Sequence, residues 1–232
     1  MKLLFRPIEL HLAHKWQIAR TSGSITSEVM IVELQDGAGI TGLGESSPIQ
    51  RYNENMETVA AFLRRVNAAK LSFADVPGSM RYVDSVAPGN MAAKCAVNIA
   101  LVDGAARLAG KAVYDFLGLG FRERHHVTSF TIGIDTPEII RQKVMAAKDY
   151  PILKIKVGVP GDRENMKAVR EIAPTKTVRV DANEGWKTKE QALEMIQWLA
   201  EDKHVEYVEQ PMPTTTPVRT HSSARRSSSR FP

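Results

Sequence analysis

The segment Leu153-Lys154-Ile155-Lys156-Val157 sets two lysines two residues apart. Side chains alternate across a β-strand, so Lys154 and Lys156 share one face while Leu153, Ile155 and Val157 take the other. Ammonium groups on a buried face need carboxylates or an anionic ligand beside them. Taken alone, the pattern reads equally well as an edge strand with a solvated lysine face. Two further segments shift that balance. Val180-Asp181-Ala182-Asn183 and Val208-Glu209-Gln210-Pro211 each place an acid where a strand-like run ends. In a parallel barrel the C-terminal strand ends are where active sites form. Hard oxygen donors on adjacent strands suit Mg²⁺, which prefers near-octahedral oxygen coordination and keeps water or substrate oxygens as its other ligands. A lone Asp181 reads also as a helix-capping or salt-bridged acid. Three consecutive strands, each delivering charge at its tip, read as a site for a divalent cation and an anionic ligand.

The elements that would hold these residues come in short strands alternating with helices. Strands are expected at Val127 to Ile134, Ile152 to Val157, Val178 to Ala182 and Val205 to Glu209. Helical patterns fall between them, at about Pro137 to Lys148, Arg163 to Ile172 and Thr188 to Glu201. That alternation predicts βα units and a parallel sheet, here half of an eight-stranded barrel. The preceding segment begins as an antiparallel meander, Leu3 to Leu12 and Thr26 to Gln35, with Asp36-Gly37 as a turn signal. After a Gly39 to Glu45 loop come two helical patterns, about Asn55 to Leu71 and Asn90 to Leu108, with Asn90 as N-cap and Gly110 as stop. Cys95 lies in the apolar run Met91 to Leu101 and reads as a buried small hydrophobe.

A 43% hydrophobic and 25% charged composition is that of an ordinary globule. The formal charge of +5 comes from one place. Residues 214–232 carry four arginines and no acid, and without them 27 basic residues face 26 acids. A nucleic-acid partner is therefore not expected. Charged residues interrupt the first sixteen positions, so neither a leader nor a membrane span is read there, and a cytoplasmic protein is expected. The domains are read as 1–120, 121–213 and a disordered Ser/Thr/Arg/Pro-rich tail, 214–232, whose abrupt composition also fits out-of-frame sequence.

Lys-x-Lys, Asp-x-Asn and Glu-Gln-Pro on successive strands resemble the enolase superfamily, in its mandelate racemase and muconate-lactonizing branch. The likeness extends over residues 1 to about 213, including Gly42-Leu43-Gly44-Glu45 and Ala100-Leu101-Val102-Asp103-Gly104. Thr128 to Asp135 is most similar to the L-Ala-D/L-Glu type of dipeptide epimerase. The resemblance implies an α/β fold with an α+β capping domain, here followed by a partial TIM-type barrel, and an isomerase that uses Mg²⁺ on small dipeptide or N-acyl amino acid substrates. It implies that Lys156 is the base removing the proton α to a carboxylate and that Lys154 stabilises the developing charge. It makes Asp181 and Glu209 metal ligands, with Asn183 supporting them. An α-proton is too weak an acid for an amine unless the resulting charge is stabilised electrostatically. Arg20 matches a loop arginine for the substrate's side-chain carboxylate, suited by its planar fork, and Thr131 a strand position touching substrate. Each of these two reads also as an ordinary loop or strand residue.

The family continues through four more βα units, so a C-terminally truncated and impaired enzyme is expected. The alternative is a non-catalytic module that forms a homo-oligomer through exposed barrel edges. With alternation, the inner face carries Lys154, Lys156 and Arg179 against Asp181 and Glu209, an excess of one cation before any metal.

Overall fold

The computed structural model describes residues 1–122 and 124–213. The stretch 214–232, read above as a tail, lies outside the described residues. The chain divides into two compact units, one of Met1–His11 with Thr26–Arg122 and one of Leu12–Ile25 with the chain from Glu123 onward. Residues 12–25, read from sequence with the first 120, thus belong to the second unit. No helix among the described residues is long and apolar enough to cross a membrane.

In the first unit, β1 (Lys2–Trp16), β2 (Ser24–Gln35) and β3 (Thr41–Ser46) form a sheet in that order. β2 and β3 run antiparallel, with Met30 opposite Ser46 and Gln35 opposite Thr41. Asp36 makes the expected turn. Its Oδ1 accepts from the amides of Ala38 and Ile40 at 2.9 and 2.8 Å, the side chain standing in for a backbone acceptor. β3 occupies the segment read as a loop. Its glycines depress strand propensity, but they mark a strand approached closely by another backbone, here α3 (Met91–Leu108). The alternating apolar residues Met30, Val32 and Leu34 of β2 bury against α3 and against Val59, Phe62 and Leu63 of α1 (Met56–Arg65).

Three local readings are corrected. α1 stops at Arg65, and a separate helix, α2 (Val76–Val86), follows, capped by Asp75 Oδ1 accepting from the Gly78 amide at 2.8 Å. Asn90 takes a left-handed conformation and makes no side-chain cap. The first amides of α3 donate instead to the Glu54 carboxylate, which sits 37 residues back where no local pattern shows it. Cys95 is exposed, because α3 buries Lys94, Ala96 and Val97 on its inner face. Gly110 does stop the helix, with φ +63° and the Lys111 amide donating to Ala106 O at 2.9 Å. A short α4 (Val113–Phe116) completes the unit.

The second unit is a parallel sheet in the order β4 (Ser129–Ile132), β5 (Ile152–Lys156), β6 (Thr177–Asp181), β7 (Val205–Glu209). α5 (Pro137–Ala146), α6 (Asp162–Ile172) and α7 (Lys189–Leu199) connect the strands. One set of alternating residues, including Leu153, Ile155, Val178, Val180 and Val208, forms a core with Ile140, Val144, Met166, Val169, Ile196 and Leu199 of the helices. The other set, with Thr131, Lys154, Lys156, Arg179, Asp181 and Glu209, leaves that core.

One buried ion pair anchors α5. The Lys143 ammonium, 5% exposed, lies 3.0 Å from Asp135 Oδ2 and donates to Lys15 O. Burial works to raise the Asp135 carboxyl, but the Lys143 hydrogen bond, the Thr136 amide and the charges of Lys143 and Lys15 outweigh it and hold it below the usual carboxylate range. A carboxyl depressed by folding adds stability above its unfolded value and loses it as pH falls through the folded one. Asp135→Asn is therefore expected to be less stable than wild type at pH 7, with the gap closing on acidification. Urea midpoints measured at neutral pH and near pH 3 read this directly.

Candidate active site

The register of the parallel sheet assembles the site in two layers. Thr131, Lys154, Arg179 and Tyr207 lie across from one another in one layer, and Lys156, Asp181 and Glu209 in the next, toward the C-terminal strand ends. Lys156 Nζ donates to Asp181 Oδ2 at 2.7 Å. Lys154 Nζ lies 3.0 Å from the same oxygen and 2.6 Å from Glu209 Oε2. Four charged residues chosen from sequence therefore meet in one cluster, alternately signed. Depth differs sharply within it: the Asp181 side chain is 2% exposed and that of Glu209 39%.

The electrostatics follow from that packing. For Asp181, burial pushes the carboxyl up, but the Lys156 hydrogen bond, the Asn183 amide and Lys154 outweigh it and hold it below the ordinary range. For Lys154, burial pushes the amine down, yet Glu209 and Asp181 hold it above the ordinary lysine range. The Lys154 amine is a fixed positive charge. Arg179 does not add the excess cation expected from strand alternation. A register irregularity between Val178 and Arg179 skips Glu206, whose Oε2 accepts from Arg179 Nε at 2.7 Å, and the guanidinium stacks 5.5 Å from the Tyr207 ring.

The loops after the strands carry unusual backbone. Asn183, Glu184 and Gln210 all have positive φ, at 45°, 65° and 47°, a conformation that costs energy for residues other than glycine and clusters at functional sites. Asn183 N donates to Asp181 Oδ1 at 2.9 Å and Asn183 Nδ2 to Gln210 Oε1 at 3.1 Å, while Asn183 Oδ1 is buried without a partner. The two carboxylates already converge on one cation, the Lys154 ammonium, and an orphaned amide oxygen stands on the residue bonded to Asp181. This donor set fits a hard divalent cation. No cluster of three or more metal-ligating side chains occurs among the described residues.

Segment 12–25 reaches the same region within the second unit. Gln17 O accepts from the Ile134 amide at 3.0 Å, and a turn closes with Thr21 N donating to Ile18 O at 3.1 Å. Ala19 packs beside Gly158, where a Cβ would lie 2.9 Å from that of Ala19 and 2.5 Å from Ala182 O. The turn aims Arg20 at Glu184, with Nη1 3.3 Å from Oε2. Trp16 lies with its ring 5.8 Å from Lys156 Nζ, and with Phe130, Thr131 and Lys143 it lines a cavity of ≈ 370 Å³. Trp16, Glu184 and Gln210 were not singled out for the site by sequence. The available signal was position: Glu184 and Gln210 directly follow strand-end acids and their neighbours.

A parallel sheet bearing lysines on one strand and an acid at the end of each of the next two, after a sheet-and-helix unit, defines an enolase-like protein. Residues 6–118 match the Mandelate racemase / muconate lactonizing enzyme, N-terminal domain, and residues 139–232 the Enolase C-terminal domain-like family. The chain belongs to this mandelate racemase and muconate-lactonizing family of the enolase superfamily. It is 59% identical over 215 residues to an L-Ala-D/L-amino acid epimerase of Pedosphaera parvula, covering 92% of this chain and 62% of that protein. It is 40% identical to an L-Ala-D/L-Glu epimerase of Bacteroides thetaiotaomicron, covering 92% and 55%. The chain thus spans roughly three-fifths of the length of such relatives. Among solved structures, it resembles a dipeptide epimerase of Cytophaga hutchinsonii complexed with Mg and D-Ala-L-Val, with TM-score 0.81, 30% identity, and 91% of this chain and 58% of that one covered.

Proposed function

We propose that this chain carries the proton-abstracting half of a Mg²⁺-dependent dipeptide epimerase centre. The observation that carries the reading is the Lys156–Asp181–Lys154–Glu209 cluster at neighbouring strand ends. Lys156 Nζ is the base that accepts the proton α to the substrate carboxylate. Lys154 holds positive charge beside the carbon as negative charge develops, a role its raised pKa suits. Asp181 and Glu209, with Asn183 beside them, would hold Mg²⁺, which when bound supplies further positive charge to the substrate carboxylate. Thr131 and Arg20 contact the substrate, Arg20 at the second side chain. The names of the relatives support dipeptides that begin with L-Ala as the substrate class.

Epimerisation takes a proton from one face and returns it to the other. The described residues place their candidate base on β5 alone, which serves exchange at one face. The test is deuterium incorporation from heavy water into L-Ala-L-Glu, L-Ala-D-Glu and L-Ala-L-Gln with Mg²⁺. Exchange is expected for one configuration only, falling at least about a hundredfold on chelation with EDTA. Binding without exchange in folded protein would sink the catalytic reading. A second reading, a self-associating module, is favoured by β4 and β7 having a single neighbour each among the described residues. Sedimentation would then give a concentration-dependent mass.

A further inference from the structure

We propose that Asp162 is a positioning residue for Lys156: its carboxylate ties the turn after β5 to the chain after β6, and so holds the base-bearing end of one strand against the Asp181 end of the next. The inference rests on the reading of Lys156 as the base and adds to it a residue to which that reading gives no part.

Lys156 is the last residue of β5, so its position depends on how the chain leaves the strand. Asp162, the first residue of α6 and 5% exposed, fixes that exit. Its Oδ2 accepts from the Gly158 amide at 2.8 Å and its Oδ1 from the Val159 amide at 3.2 Å. The same Oδ2 accepts from Trp186 Nε1 at 3.4 Å, and the buried Trp186 lies between β6 and α7. The two connections also meet through their backbones. Val157 N donates to Asp181 O at 3.0 Å. Gly158, at φ +105°, is so close to Gly185 that a Cβ on either would stand within 2.9 Å of the other's Cα. A shift of the turn after β5 therefore bears on the segment that carries Asp181 and Asn183.

These bonds do not cap α6. They run backward, to amides that precede the helix, which has no side-chain cap of its own. What they produce is a fixed turn. Only a carboxylate meets the demand, because two oxygens accept from three neutral N–H donors. An asparagine offers one oxygen and sets its NH₂ against the remaining donor. The arrangement has a cost. Burial and the charge of Glu164 raise the Asp162 carboxyl above its ordinary range against the pull of the three hydrogen bonds. Placement of the base is where such a device has most effect, since Lys156 Nζ sits 2.7 Å from Asp181 Oδ2 and a displacement of about 1 Å at a reacting group can cost about a hundredfold in rate.

The experiment is steady-state α-proton exchange by the full chain in heavy water with saturating Mg²⁺, using whichever of L-Ala-L-Glu and L-Ala-D-Glu wild type exchanges. Asp162→Asn is expected to lower kcat about 10- to 100-fold with KM within about twofold of wild type. Asp202→Asn is the control for stability, since it removes an ion pair to Arg170 near the other end of α6 and should leave kcat unchanged. Trp186→Phe removes only the indole donor and is expected to lower kcat about threefold at unchanged KM. It decides the matter if Asp162→Asn does not fold. An unchanged kcat in the deciding variant, or an equal fall in Asp202→Asn, overturns this inference alone. Exchange that survives Lys156→Ala, or a folded wild type that exchanges neither dipeptide, overturns the reading beneath it as well.

Discussion

Lys156→Ala is expected to cut α-proton exchange by about 10²–10⁴-fold, the range a positioned general base contributes, while the protein stays folded. The two effects separate because of how Asp181 is partnered. Removing Lys156 leaves the Asp181 carboxylate with Lys154 Nζ still 3.0 Å away and the Asn183 amide 2.9 Å away, so no buried charge is orphaned. Lys156→Arg sharpens the test. An arginine restores positive charge beside Asp181 but stays protonated at any working pH and cannot accept the α-proton. Exchange should remain lost in the arginine variant if Lys156 is the base, and should recover if its contribution is only electrostatic. Deuterium incorporation followed by NMR, with circular dichroism as the folding control, reads both outcomes.

Lys154→Ala should behave differently. Lys154 bridges Asp181 and Glu209, and Glu209 is partly open to water, so its loss relaxes one carboxylate into solvent and leaves Lys156 in place on Asp181. What goes missing is the fixed charge that Asp181 and Glu209 maintain above the usual lysine range. If Lys156 is the base, a smaller loss of exchange is expected for Lys154→Ala, read by the same deuterium incorporation.

The readable part of this molecule is the part governed by local period. β5 begins at the expected residue and ends one earlier, and β7 matches both expected bounds. In a parallel sheet, alternation separates a helix-facing set from a charged one, and that placed Lys154, Lys156, Asp181 and Glu209 together from sequence. What escaped the sequence depends on partners far along the chain. Glu54 caps α3, and segment 12–25 joins the second unit through Gln17 O on the Ile134 amide. Glu184 meets Arg20 across more than 160 positions. Glu206 reaches Arg179 only because the β6–β7 register slips, which strict alternation hides. The expected cation excess was thus an error of register and not of composition.

The same distinction explains why β3 read as a loop, and it leads to the largest expected loss of stability. Gly42 and Gly44 are two apart in β3 and face α3, where Ala96, Ala100 and Gly104 recur at intervals of four on one helical face. A Cβ at Gly42 would stand 2.0 Å from Ala100 O, and one at Gly44 2.0 Å from Ala96 O. Both obstacles are backbone, so no side chain can rotate aside. The inner residues of α3, Leu101 among them, are buried with Phe62 and Val32, so backing α3 away from β3 would open gaps in that core. Gly44→Val should therefore destabilise the first unit by at least about 3 kcal/mol, at or beyond the upper end of ordinary overpacking. Leu43, between the two glycines and 44% exposed, is the internal control: Leu43→Ala should cost within about 0.5 kcal/mol. Chemical denaturation of the two variants tests the seam directly. Similar stabilities would mean that β3 and α3 can separate without loss, and that the small residues on both sides are not what holds the strand in place.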